Sequence, residues 1–185
     1  MTSDTAPRVA VVFATDQGST RDIADFIAAD LSARGAQVQL HDAEHAPDPT
    51  EYDVLILGSA VHDMQLLPPA AAYLDHNRRE LTGRDVRLFT VGLGPALRGP
   101  IGRRMGRTVP PGIAALRDAV GARELHAFAG RYDRAGVSFR ARLQYRLLGG
   151  GRYGDLRDWA EIRRWAAGIG DSLNLAPATV LTTHP

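Results

Sequence analysis

The sequence contains neither cysteine nor lysine, and each absence removes a class of chemistry. Without cysteine there are no disulfides, thiolate metal sites or cysteine nucleophiles. Redox chemistry, if the chain performs any, must be carried by a bound group, because no side chain present cycles electrons in that way. No stretch approaches the roughly 20 apolar residues that cross a bilayer. The opening Met1-Thr2-Ser3-Asp4 lacks the basic-then-apolar pattern of a secretory leader, so the expectation is a cytoplasmic protein. With lysine missing, all 22 cationic side chains are arginine, and they are unevenly spread. Through residue 97, seven arginines face 14 Asp and Glu; from Arg98 to Arg164, 15 arginines face six. An anionic partner (a propionate-bearing substrate, an anionic membrane surface or nucleic acid) would suit that asymmetry, and so would solvated helix faces.

What is present fits one domain. A chain of 185 residues with 44% hydrophobic content can bury a single core, expected over about 7–174 with a flexible tail at 177–185. Arg8 to Ala14 is a nearly continuous apolar run, as a strand covered on both faces requires. Ile23, Phe26, Ile27 and Leu31 then recur at helical spacing, and Gly35 is placed to stop that helix. Ala36 to His41 reads as a second strand and Tyr52 to Gly58 as a third. Pro68 to Arg79 reads as a helix, Asp85 to Val91 as the fourth strand and Glu124 to Gly130 as the fifth. A last helix is expected from about Asp158 to Leu173. Strands alternating with helices predict a parallel, doubly wound sheet in three α/β/α layers, order 2-1-3-4-5. Its ligand site lies at the carboxyl ends of the strands. The stretches Gly92 to Pro111 and Arg131 to Gly154 are long for plain connections, which marks them as functional candidates.

The loop Thr15-Asp16-Gln17-Gly18-Ser19-Thr20 joins the first strand directly to a helix. Amides at a helix start are unpaired and can bind a phosphate. Gly18 lets the backbone curl, and Thr15, Ser19 and Thr20 offer hydroxyl donors. The absent lysine excludes a nucleoside-triphosphate P-loop and argues against a phosphoacceptor receiver domain; no Gly-x-Gly-x-x-Gly follows the strand, which excludes a dinucleotide fingerprint. A terminal phosphate monoester remains. The competing reading is that Ser19 or Thr20 only caps the helix, with Asp16 in a turn.

These residues resemble the phosphate loop of flavodoxins, Thr-x-Thr-Gly-x-Thr, with Gln17 in place of the middle threonine. Ala14 to Thr20, Gly58-Ser59-Ala60-Val61, Phe128-Ala129-Gly130-Arg131 and Tyr153 to Trp159 are similar to the flavodoxin-domain group that contains menaquinone-dependent protoporphyrinogen dehydrogenase. The basic Arg140 to Leu148 followed by Gly149-Gly150-Gly151 is similar too. The resemblance implies a flavodoxin-like fold and FMN as cofactor, its phosphate on Thr15 to Thr20. It implies that backbone amides of two further loops, Gly58 to Met64 and Gly92 to Leu97, meet the isoalloxazine edge. Gly58, Ser59, Ala60, Val61, His62, Asp63, Gly92, Leu93, Gly94 and Pro95 are thus the carried-over cofactor residues; the glycines also suit simple strand ends. Neither loop offers the usual stacking aromatic, which leaves His62, or Met64 with Leu93, to cover the ring. His62 and Asp63 are the candidates for a direct role, Asp63 by disfavouring an anionic reduced flavin.

Arg98, Arg103, Arg104 and Arg107 are candidates to meet an acidic substrate. The leading expectation is an FMN oxidoreductase acting on a small organic substrate or quinone, porphyrinogen-like compounds included. The alternatives are an electron carrier with a redox partner protein, and a flavin-free binding module. Nucleic acid is not expected, since aromatic platforms and known motifs are missing. The basic amphipathic segment around Arg140, Arg142 and Arg146, with Phe139, Leu143, Leu147 and Leu148, either packs on the domain or lies on an anionic membrane as a peripheral contact. A homodimer stays open. No metal site is expected: His41 and His45 end a strand before Pro47-Asp48-Pro49, not a helix face. His126 is read as a packed or edge histidine, and Trp159 and Trp165 as core anchors.

Overall fold

The computed structural model describes residues 6–97, 100, 102, 104, 106, 108–132, 145–147, 150 and 153–178. Strand β1 (Arg8–Ala14) is buried at every position but the first, as its apolar run requires. Helix α1 (Ser19–Ala33) ends where Gly35 takes φ 101, with Gly35 N–H donating to the Ser32 carbonyl at 3.0 Å and Ala36 N–H to Leu31 at 3.1 Å. That pair of bonds satisfies carbonyls left open by the helix end, and only glycine reaches the backbone angle without strain.

Then follow β2 (Gln37–Asp42), β3 (Val54–His62), β4 (Gln65–Leu66), α2 (Pro68–His76) and α3 (Arg78–Leu81). Next come β5 (Asp85–Gly92), α4 (Pro111–Ala119), β6 (Glu124–Ala129), β7 (Arg131–Tyr132), β8 (Gly154–Asp155) and α5 (Trp159–Ser172). The sheet order is β2-β1-β3-β5-β6, all parallel, which is 2-1-3-4-5 when the parallel strands alone are numbered. β4 is an addition, antiparallel to the end of β3. On one face Phe89, Phe128 and Trp165 pack with α1 and α5; on the other Leu57, Leu74 and Leu88 pack with α2 and Ile113 of α4.

Several boundaries differ from expectation for visible reasons. β3 continues past Gly58 to His62. The helix expected over Pro68 to Arg79 breaks at Asn77, whose φ of −97° and ψ of 18° leave the helical region and whose side-chain amide donates to the Tyr73 carbonyl. α4 was obscured in the sequence by Pro110, Pro111 and Gly112, and among its residues only Ile113 is fully buried. The segment Phe139 to Leu148 lies outside the described residues except Tyr145 to Leu147, as does the tail from Thr179 onward.

Trp165 is a core anchor, its indole N–H donating to Glu124 at 3.1 Å, while Trp159 stands 5.6 Å from Phe26. His126 pairs with Glu161 at 3.1 Å and its ring packs at a tilt on Phe128, centres 4.5 Å apart, a packed histidine. His41 meets Gln39 instead of His45. His45 shares an exposed turn with Asp42 and Glu44, their ligand atoms within 4.8 Å, where Asp42 already caps the Glu44 amide.

Tyr73 supplies a first test of the packing. Its hydroxyl donates to the Pro47 carbonyl at 3.0 Å, and burial pushes the phenol up to about 12. An unfolded tyrosine titrates near 10. Because the folded value is raised, the stabilisation is complete below about pH 10 and is lost as pH rises through 12. Burial raises Tyr52 as well, so an absorbance titration at high pH should show the latest phenol of the native protein missing from Tyr73→Phe.

Candidate functional site

Three loops converge at the carboxyl end of the sheet. Ala14 at the end of β1 sits beside Ser59 of β3, and Ala60 beside Val91 of β5. In the first loop Gly18 has φ 88; its N–H donates to Thr15 Oγ1 at 3.0 Å and its carbonyl accepts from Asp22 N–H at 3.0 Å, opening α1. No side chain caps that helix, so the capping reading of Ser19 and Thr20 is not what the loop does. Thr20 is 0% exposed, yet its Oγ1 has no hydrogen-bond partner. Asp16 and Gln17 are exposed, while Thr15, Gly18 and Ser19 are half-buried. An orphaned hydroxyl, uncapped amides and a left-handed glycine fit a phosphate monoester.

The second loop is a hairpin rather than a strand end. Val61 pairs with Leu66 and His62 with Gln65, leaving Asp63 (φ 48) and Met64 (φ 64) as its two-residue turn. Two positive φ angles are the geometry that matches strand twist, normally supplied by Asn or Gly. Met64 holds it with a side chain that is 58% exposed. The hairpin spans the site: His62 Nε2 lies 3.8 Å from Asp16 Oδ2 of the first loop, and a Cβ on Gly92 of the third loop would lie 3.6 Å from Val61 Cβ. Gly58 and Ser59 sit below, buried in the sheet. Ser59 Oγ donates to the Ala60 carbonyl at 2.8 Å and accepts from Leu67 N–H at 2.9 Å, fastening the hairpin's two arms.

In the third loop Leu93 precedes a short 3-10 turn, Gly94–Ala96, with Pro95 in its first turn. Gly94 and Gly106 meet backbone to backbone; a Cβ on Gly106 would collide with the Gly94 carbonyl oxygen. Arg104 is exposed on the described helical residues of 100–106, and Arg98, Arg103 and Arg107 lie outside the described residues.

Sequence reasoning missed a strap that joins these loops. Gly130 N–H donates to the Gly92 carbonyl at 3.1 Å, and Leu156 N–H to the Gly130 carbonyl at 3.2 Å. Gly130 faces Ser19: a Cβ there would lie 3.3 Å from Ser19 Oγ. Arg157 follows, donating to both oxygens of Asp155 (2.8 and 2.7 Å) and to Asp22 of α1 at 2.7 Å. The Arg157 hydrogen bonds hold the Asp155 carboxyl below its ordinary range, and the same bonds push the guanidinium up. A cavity of about 340 Å³ adjoins, lined by Pro95, Leu97, Ala129, Tyr145 and Leu156 together with Arg157. Tyr145 meets Tyr132 edge-on and Tyr153 at a tilt, ring centres 4.9 and 5.5 Å away, while Tyr132 and Tyr153 stack at 5.7 Å. One signal was available: Asp155 and Arg157, two apart on an extended chain, share a face.

A flavodoxin-domain family model matches residues 10–154, and the chain belongs to that family. Among solved structures it resembles a flavodoxin from the domain Archaea, with 16% identity, a TM-score of 0.57, and coverage of 90% of this chain and 99% of that one. The oxidised Flavodoxin 1 from Bacillus cereus gives 14% identity and a TM-score of 0.56, covering 90% of this chain and 97% of that one. Rubredoxin oxygen:oxidoreductase from Desulfovibrio gigas gives 14% and 0.55, covering 91% of this chain but 37% of that larger one. Comparison with curated protein sequences gives no match. Among the described residues no helix is long and apolar enough to cross a membrane.

Proposed function

We propose that the chain binds FMN with its phosphate on the loop from Thr15 to Thr20, and passes electrons between the flavin and a small organic substrate or quinone, porphyrinogen-like compounds among them. The observation that carries this reading is the Thr20 hydroxyl, fully buried and unpartnered beside an uncapped helix start in a family member. When bound, the flavin would supply the redox chemistry, at its N5 region.

The chain's own residues bind and orient. Backbone amides of Ala60 to Asp63 and of Leu93 and Gly94 would face the ring edge, while Met64 and Leu93 provide apolar cover in place of an aromatic. His62 and Asp16 would close one side. Arg104, with Arg98, Arg103 and Arg107, would meet an acidic substrate group, and the basic segment around Arg142 would serve a quinone through peripheral membrane contact. A second reading, a carrier serving a protein partner, is favoured by the near-complete coverage of whole flavodoxins.

Adding FMN to purified protein should shift the visible flavin spectrum and change its fluorescence at near-stoichiometric ratio. Turnover of a quinone panel with a chemical reductant then separates the enzyme from the carrier. A spectrum that stays that of free FMN at high protein concentration would leave a flavin-free binding module.

A further inference from the structure

The proposed phosphate loop carries a surplus of negative charge. Asp16 lies within it, and Asp22 stands in the first turn of α1, within about 5 Å of rise from the amides that would hold the anion. A phosphate monoester arrives with a charge near −2. Two carboxylates at a dianion site oppose binding, and the helix N-terminus alone offsets only about half a charge. Arg21 in the same turn pairs with Asp25 at 3.7 Å, so Asp22 must be offset from elsewhere.

Arg157 does so from the far end of the sequence. Its side chain is 6% exposed, and its charge cannot be screened by water as a surface arginine's would be. Nη1 donates to Asp22 Oδ2 at 2.7 Å, and Asp155 holds the rest of the guanidinium in a fork. The Trp159 ring lies 4.7 Å beneath it. Leu156, the preceding residue, is hydrogen-bonded to Gly130, which faces Ser19. The guanidinium is therefore fixed in place before any ligand arrives.

We infer that Arg157 is a positioning residue for phosphate: the charge it shares between Asp155 and Asp22 offsets part of the Asp22 carboxylate, which eases a dianion onto the first turn of α1 and thereby favours the phosphorylated flavin over its unphosphorylated form. The inference rests on the FMN reading given above. Arg157 makes no contact with the phosphate in this account; it acts through Asp22.

The test compares FMN with riboflavin, which shares the ring and lacks the phosphate. Binding of each is followed by flavin fluorescence for the native protein, Arg157→Gln, Asp22→Asn and the double variant. A like charge one helical turn away disfavours the anion, and exposure to salt and water weakens that effect, so Arg157→Gln should weaken FMN roughly five- to tenfold and leave riboflavin unchanged. Adding Asp22→Asn to it should restore FMN affinity, which a merely structural role would not do. Asp22→Asn alone should tighten FMN severalfold, and this variant keeps the buried arginine paired with Asp155 should Arg157→Gln fail to fold. Equal losses for both flavins, or an Asp22→Asn that leaves FMN unmoved, would overturn the role of Arg157 while FMN binding stands. Native protein that does not prefer FMN to riboflavin would overturn the phosphate reading itself, and this inference with it.

Discussion

Gly58→Ala should destabilise the protein by about 2 kcal/mol, lowering the melting temperature by roughly 4–8 °C. A Cβ at this position would collide with Phe89 Cζ and with both neighbouring ring carbons, far inside any contact distance. Gly58 is paired across the sheet with Phe89 in parallel register, and the phenyl ring lies over the glycine, filling the space its missing side chain leaves. The ring has nowhere to retreat. Phe89 is 1% exposed and is held by Phe128 at 5.9 Å and Trp165 at 5.8 Å between ring centres. Restricting the unfolded chain would return about 0.4–1 kcal/mol, less than the overpacking costs. Denaturant midpoints should fall at constant slope, as expected for a stability change without a change in exposed area. Phe89→Leu should rescue part of the loss in the Gly58→Ala background and harm the native protein, so the two substitutions should be strongly non-additive. If Gly58→Ala leaves stability unchanged and weakens FMN, then the position serves the flavin edge directly.

That result would also mark where the sequence misleads. The apolar run of β1, the helical spacing of α1 and the alternation of strands with helices are local signals, and the sheet order follows from them. The first loop was legible for the same reason: strand, polar glycine loop and helix are contiguous. Gly58-Ser59 after an apolar run looks like a strand end, whereas the strand runs on, because Phe89, some 30 residues later, supplies the missing bulk. The turn at Asp63-Met64 has no glycine to announce it, and its left-handed Met64 is visible only in the backbone. Arg157 meets Asp22 across 135 residues, a distance at which no spacing rule applies. The strap through Gly130 is built of main-chain bonds, which side-chain identity does not encode. The site's parts were thus readable where they are consecutive and hidden where tertiary packing assembles them.

Thr20→Val bears most directly on the function, because its two expected effects have opposite signs. The hydroxyl is buried with no partner, so the folded protein without ligand carries a desolvation penalty of about 1–2 kcal/mol. Valine keeps the branched shape and removes the polar atom, and the ligand-free protein should gain a few degrees in melting temperature. FMN affinity should move the other way. A hydrogen bond to a charged group contributes about 1.5–3 kcal/mol, so binding should weaken roughly 10- to 150-fold. Thr20→Ser, which retains the hydroxyl, should keep most of the affinity, and riboflavin should be indifferent to both changes. A protein that tolerates an unsatisfied donor in its core has it placed for something that arrives later; a hydroxyl serving only the fold would give a less stable valine variant with unaltered FMN binding. Calorimetric melts of the ligand-free proteins, set beside fluorescence titrations with FMN and riboflavin, distinguish the two outcomes by sign alone.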